Sequence, residues 1–174
     1  MTVFVAGIHG VGKSFLCQKY AENFPVTYES ASGLIRRERA QAAWSNDKKV
    51  SQIDDNQLAL KTAVQKIKKE GESLLLDGHF VLINEKSEFV ALESSVFRDL
   101  GILGVILLEA APDVIASRLE ARDSSKSSVD IVGFLQKERE QARNICESLN
   151  VGLFILEQPG FAEFSRTASS IFDF

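Results

Sequence analysis

Cysteine, proline, tryptophan and methionine are scarce in this chain of 174 residues, at two, three, one and one copies. Cys17 and Cys146 lie far apart inside apolar or helical stretches, with no histidine at ligand spacing. That excludes a disulfide scaffold and a cysteine metal finger, and it leaves buried free thiols. Long apolar runs are missing too: the longest, Gly101 to Leu108, is far short of the roughly 18 residues that a membrane span needs. No basic segment followed by an apolar core opens the sequence, so a reduced, cytoplasmic protein is expected. Charge of one sign is also lacking. Lys+Arg 20 against Asp+Glu 24, interspersed and net −4, gives no basic field for a nucleic-acid backbone, and sustained nucleic-acid binding is not expected. What remains is 45% hydrophobic and 25% charged, an ordinary globular composition. The length suffices for a single domain that buries about 70% of its extended surface.

Five short apolar runs carry no polar alternation: Val3 to Ala6, Val26 to Tyr28, Ser73 to Leu76, Gly104 to Leu108 and Gly152 to Leu156. This is the pattern of parallel strands buried on both faces. Helical spacing fills Lys13 to Asn23, Ala31 to Ala43, Asn56 to Glu70, Pro112 to Arg122, Asp130 to Leu149 and Phe161 to Phe174. The alternation predicts an α/β fold of three layers, α/β/α, around a five-stranded parallel sheet, with ligands at the carboxyl ends of the strands. Trp44 to Asp55 and Asp123 to Val129 are polar and turn-rich, and both are candidate flaps. Phe161, Phe164, Phe172 and Phe174 suit a terminal helix that docks on the sheet better than a dimer interface.

Gly7-Ile8-His9-Gly10-Val11-Gly12-Lys13-Ser14 matches the pattern glycine, four residues, glycine, lysine, serine. Chance produces such a match somewhere in a chain of this composition only about 0.5% of the time. It also sits where the chemistry needs it, between a strand and a helix. Glycines turn backbone N–H groups inward around phosphate oxygens, and the helix N-terminus adds its positive dipole end. Lys13 would meet the β- and γ-phosphates of ATP, and the Ser14 hydroxyl would ligate Mg²⁺. His9 occupies a position that the pattern leaves free, so it faces solvent, packs in the loop or lies against the nucleotide. Asp77 ends a strand at the carboxyl edge of the sheet, within reach of an Mg²⁺-bound water or the substrate; the alternative is a turn carboxylate before Gly78. His79 beside it is a substrate contact or a turn residue.

Phosphoryl transfer needs positive charge around crowded oxygens, and the arginines here are clustered. Arg118 and Arg122 stand at i and i+4 and lead into the second flap; Arg139 and Arg143 repeat that spacing on the next helix. A short lid over about 122–130 that closes on a triphosphate would use them, unless Glu120, Glu138, Glu140 and Glu147 pair with them on solvated helix faces. Ser32-Gly33-Leu34-Ile35-Arg36-Arg37-Glu38-Arg39 opens the region after the second strand. Its arginines either face an acceptor that bears its own phosphate or belong to a charged helix surface.

With these motifs in this order, the chain resembles the nucleoside monophosphate kinase group of P-loop proteins, and most closely the short-lid archaeal-type adenylate kinases and adenylate-kinase-like ATPases. The resemblance rests on Gly7 to Ser14, on Ser32-Gly33 with Arg36 and Arg37, on Leu74-Leu75-Leu76-Asp77-Gly78-His79, and on Gly104 to Pro112 leading to Arg118 and Arg122. It implies a single P-loop NTPase domain over 1–174, with an acceptor-binding insertion at about 31–70. It implies that Gly7, His9, Gly10, Val11, Gly12, Lys13, Ser14 and Phe15 contact the nucleotide, with Arg118 on its phosphates and Pro159 by its adenine. Lys13, Asp77, Arg118 and Arg122 would act in transfer, and Ser14 with Asp77 at Mg²⁺. Ser32, Gly33, Arg36, Arg37, Gly78, His79, Arg139 and Arg143 would hold the acceptor side. The expected activity is transfer of the γ-phosphoryl of ATP to a small phosphorylated acceptor, foremost a nucleoside monophosphate. Two alternatives stand beside it: a nucleoside or other small metabolite as acceptor, or a nucleotide-gated ATPase that acts on a protein partner. The acceptor motif departs from the family, because Leu34 follows Gly33 where an aspartate is usual.

Overall fold

Alternate residues of β1 (Thr2–Ala6) face opposite ways, and every one of them is buried. The strand is central: β3 (Leu74–Asp77) pairs with it on one side and β6 (Ile102–Glu109) on the other, both parallel. β2 (Thr27–Ser30) extends the sheet beyond β3, and β7 (Gly152–Glu157) extends it beyond β6, giving five parallel strands in the order β2-β3-β1-β6-β7. The computed structural model describes residues 1–42, 52–84, 86–123 and 130–174. Each face of the sheet carries its own core. Val3 and Val5 point toward α1 (Lys13–Ala21) and α7 (Phe161–Phe172), where they meet Leu16, Tyr20, Phe164 and Phe172. Phe4 and Ala6 point the other way, toward α2 (Ala31–Ala42), α3 (Gln52–Lys69), the short α4 (Ser94–Arg98) and α6 (Ile131–Leu149), where they meet Leu34, Leu60, Val64, Phe97 and Ile145. Helices on both faces of the parallel sheet give the three-layer α/β/α architecture that the sequence predicts.

α5 (Pro112–Asp123) begins directly after β6, with Pro112 and Asp113 in its first turn. α6 starts at Asp130, whose carboxylate accepts a bond from the Gly133 amide at 2.9 Å, and it ends at Asn150 in the left-handed conformation. Phe164 and Phe172 are fully buried, so the terminal helix does dock on the sheet. Cys17 and Cys146 are buried free thiols, and burial pushes both upward in pKa, Cys146 to about 11. Among the described residues no helix is long and apolar enough to cross a membrane.

Three features differ from the sequence reading. β2 and β7 are edge strands and are not buried on both faces; Phe154 and Ile155 of β7 are 40% and 39% exposed. Their apolar composition does not distinguish an edge from a centre, because position in the sheet is a long-range property. An antiparallel hairpin of β4 (Val81–Ile83) and β5 (Phe89–Ala91), together with α4, fills a stretch where no element was expected. Three-residue strands are too short to show periodicity. Of the two expected flaps, residues 43–51 and 124–129 lie outside the described residues, while Gln52 to Asp55 belong to α3 and Asp123 to α5.

Candidate functional site

The turn from β1 into α1 holds Gly7, Gly10 and Gly12 at φ 139, 87 and 101°, where a side chain is strained. At Gly7 there is also no room: a Cβ would stand 2.4 Å from the Leu108 carbonyl oxygen. The loop therefore curls tightly enough for Lys13 Nζ to donate back to the carbonyls of Gly7 at 2.6 Å and Ile8 at 3.2 Å. Lys13 is buried, and that desolvation lowers its pKa even though Asp77 and Glu138 act to raise it. A desolvated ammonium at a helix N-terminus attracts an anion strongly, which suits phosphate. Val11 is buried beneath the loop, and Phe15, on the outer face of α1, is 69% exposed. Arg118 of α5 spans the rim, donating to the Gly10 carbonyl at 3.0 Å. Arg122 follows one turn later, exposed on the same helix.

At the carboxyl end of β3, Asp77 Oδ2 accepts from Ser14 Oγ at 3.1 Å and from the Tyr28 hydroxyl at 2.6 Å. Burial, and next this bond, raise the Tyr28 pKa, so the phenol stays protonated and donating. One hydroxyl and one carboxylate are the hard-oxygen set that Mg²⁺ takes from a protein when phosphates and waters complete its shell. Among the described residues no group of three His, Cys, Asp or Glu could hold a metal by itself, so any ion here depends on that shared shell.

These groups open into a cleft of about 780 Å³ whose lining includes His9, Lys13, Ser14, Tyr28, Asp77 and Gly78. Ser32, Arg36 and Arg39 come to it from α2, and Arg39 also bonds Asn56 of α3 at 2.8 Å. Much of its wall is apolar, with Ile35, Leu60, Leu82, Val90, Val96 and Phe97, and Ser30, Asn56 and Gln57 add polar groups. His79 lines it too, its ring 4.4 Å from that of His9. Burial first, then the charge of Lys13 and the neighbouring His9, push His79 down to about 2, so it is neutral at any ordinary pH. Its Nδ1 is buried without a hydrogen-bond partner.

Several candidates stand elsewhere. Arg37 pairs with Glu29 at 2.5 Å and is not part of the cleft lining. The Gly33 amide donates to Ser30 Oγ at 3.1 Å, a local turn contact. Arg139 makes a two-pronged ion pair with the buried Glu109 at the end of β6, through Nε at 2.7 Å and a second nitrogen. Arg143 is exposed one turn further along α6. Pro159 follows Gln158, whose amide donates to the Glu109 carbonyl at 2.8 Å and so holds that loop against the end of β6. The sequence reading missed Tyr28, Glu109 and the hairpin wall, and among the arginines of Ser32 to Arg39 it singled out Arg36 and Arg37 rather than Arg39. It also set Glu138 among surface partners for arginines, whereas its carboxylate is buried and accepts from the amides of Gly7, Phe80 and Val81. Tyr28 closes the apolar run Val26 to Tyr28, the one available signal; in the structure it is the second residue of β2, which pairs with β3 and ends at Ser30.

Comparison with known proteins bears on the fold. The structure is similar to a sugar kinase from Janibacter sp. at 15% identity and TM-score 0.60, covering 99% of this chain and 94% of that one. It is similar to a gluconokinase from Sinorhizobium meliloti at 16% identity and TM-score 0.56, covering 99% and 91%. An uncharacterized protein from Eubacterium ventriosum follows at 12% identity and TM-score 0.54, covering 99% and 98%. At these identities the likeness is one of fold. No curated protein matches the chain by sequence. A family profile described as an AAA domain matches residues 6–132, a stretch that runs from the glycine loop through the residues of the cleft to the arginines of α5, and the chain belongs to that family.

Proposed function

We propose that the chain is an ATP- and Mg²⁺-dependent phosphotransferase whose acceptor is a small phosphorylated molecule, foremost a nucleoside monophosphate. One observation carries the reading: a single cleft is lined by Lys13, Ser14 and Asp77 and also by Arg36 and Arg39, with many apolar side chains among them. ATP phosphates would lie in the loop Gly7 to Ser14, with Arg118 at the rim and the adenine by Pro159. Ser14 and Asp77 would hold Mg²⁺, which would supply neutralisation of charge on the phosphate oxygens. Lys13 holds the β- and γ-phosphates and Arg122 approaches from α5. Arg36 and Arg39 hold the acceptor's own phosphate and so orient its attacking oxygen for direct in-line transfer. No covalent intermediate on the protein is required.

The walls favour a nucleoside monophosphate over a sugar. A polyol needs a hydrogen-bond partner for each hydroxyl; Ser30, Ser32, Asn56 and Gln57 could serve some, but the large share of the lining made by Ile35, Leu60, Leu82, Val90 and Val96 offers none. A planar base, by contrast, gains from contact with such apolar side chains. ADP release measured with each common nucleoside monophosphate, with gluconate and with hexoses tests this directly. Acceleration of tenfold or more by at least one monophosphate is expected. Acceleration by a sugar instead would move the acceptor to the class of the similar structures, and acceleration by a protein alone would mark a nucleotide-gated ATPase.

A further inference from the structure

The phosphotransfer scheme makes no use of Glu138, yet this residue is one of the most deeply placed charges in the molecule, at 1% exposure. Its Oε1 accepts from the Gly7 amide at 3.2 Å and from the Phe80 amide at 3.0 Å; its Oε2 accepts from the Phe80 amide at 3.0 Å and the Val81 amide at 2.8 Å. Burial of a carboxylate is costly unless its lone pairs are satisfied, and here three backbone donors satisfy them.

The donors belong to two different segments. Gly7 opens the phosphate loop. Phe80 and Val81 follow Asp77-Gly78-His79 and lead into the hairpin, where Leu82 and Val90 face each other across the strands and both line the cleft. Parallel pairing of β1 with β3 ends at Val5 and Asp77. Beyond that point the two chains diverge, and both turn N–H groups toward the gap. Donors cannot bond to donors, so only an acceptor supplied from outside can join them. α6 supplies it, and the same helix grips the hairpin at neighbouring turns. Gln141 Nε2 donates to the Leu92 carbonyl at 2.6 Å, and the Phe134 ring stacks 5.3 Å from that of Phe89.

We propose that Glu138 is a positioning residue that fixes the donor phosphate loop to the acceptor wall, setting the distance between the γ-phosphoryl and the attacking oxygen. This rests on the proposed transfer from a nucleotide in the loop to an acceptor in the cleft. Reacting atoms misplaced by about 1 Å lose about 100-fold in rate, and a carboxylate that ties both half-sites controls a displacement of that size.

The test compares wild type with Glu138→Gln, which keeps the shape and one acceptor oxygen, and Glu138→Leu, which keeps neither oxygen. All assays run at least 15 °C below each variant's measured melting temperature. Glu138→Leu is expected to lower kcat about 100-fold, Glu138→Gln to fall between, and ATP affinity to change less than threefold in both. Variants that melt earlier but keep wild-type kcat would overturn the proposal and leave Glu138 a purely structural residue; so would a loss confined to ATP affinity. A second measurement does not depend on the acceptor: amide resonances of Phe80, Val81 and Leu82 on titration with ATP·Mg²⁺. Coupling predicts that they shift in wild type and not in Glu138→Leu, and equal shifts in the two proteins would refute it. A wild type that no acceptor accelerates defeats the phosphotransfer reading instead, and the resonance experiment still decides the coupling.

Discussion

Eight consecutive residues, Gly7 to Ser14, make the proposed donor loop, whereas the walls of the proposed acceptor cleft come from β2, α2, α3, the β4–β5 hairpin and α4, spread from Tyr28 to Phe97. The loop is rigid for local reasons: glycine conformations, a helix start and a lysine that folds back on its own carbonyls. The cleft is held by contacts between distant segments, such as Arg39 with Asn56, Tyr28 with Asp77 and Gln141 with Leu92. A contiguous site reads any nucleoside triphosphate that offers phosphates. A distributed site can be reshaped wall by wall, which is why kinases with one donor loop serve different acceptors.

The comparison breaks most sharply at the residue shared by both sides. Lys13→Ala should lower turnover about 10²–10³-fold with the fold retained, because it removes a preorganised cation from the transferred group; steady-state ADP release with circular dichroism as the folding control measures it. On the acceptor side alone, Arg36→Ala or Arg39→Ala should raise the acceptor KM about 10–100-fold and leave ATP affinity alone, the worth of a charge-assisted phosphate contact. Arg37→Ala, whose partner is Glu29, should change that KM less than about twofold. Equal effects at 36, 37 and 39 would mean that the cleft is not the acceptor site.

Two smaller effects sharpen the boundary between the halves. Tyr28→Phe removes one of the two hydrogen bonds on Asp77 and should cost about 1.5 kcal/mol in urea unfolding while ATP binding is retained. His79 connects stability to pH. Its folded pKa is pushed down to about 2 from 6.5, so between those values the unfolded chain holds a proton that the folded chain lacks. Stability from this group is complete above 6.5 and falls as the solution is acidified, with a limiting slope of about 1.4 kcal/mol per pH unit. His79→Gln should therefore flatten the wild-type stability profile between pH 4 and 6.5. Parallel profiles for the two proteins would show that the ring takes up its proton in the folded state.

The sequence by itself determined the phosphate loop, because its geometry depends on residues next to one another: glycines for positive φ, then Lys13 and Ser14 opening a helix. It determined the parallel α/β order as well, since unalternated apolar runs separated by helical spacing admit few other arrangements. It placed Asp77 at the sheet edge and Arg36 in the acceptor region from the ends of those elements. Only the tertiary structure decided which arginines reach the cleft. Arg36 and Arg39 turn toward it while Arg37, between them, turns to Glu29, a matter of helix rotation against β2 that no local pattern records. Only the tertiary structure made β7 an edge, paired Arg139 with Glu109, and folded the hairpin into a wall. Glu138 is the clearest case: on a helix rich in surface charge it reads as one more solvated glutamate. It is drawn inside because two chains far apart in sequence each leave backbone donors facing the same gap.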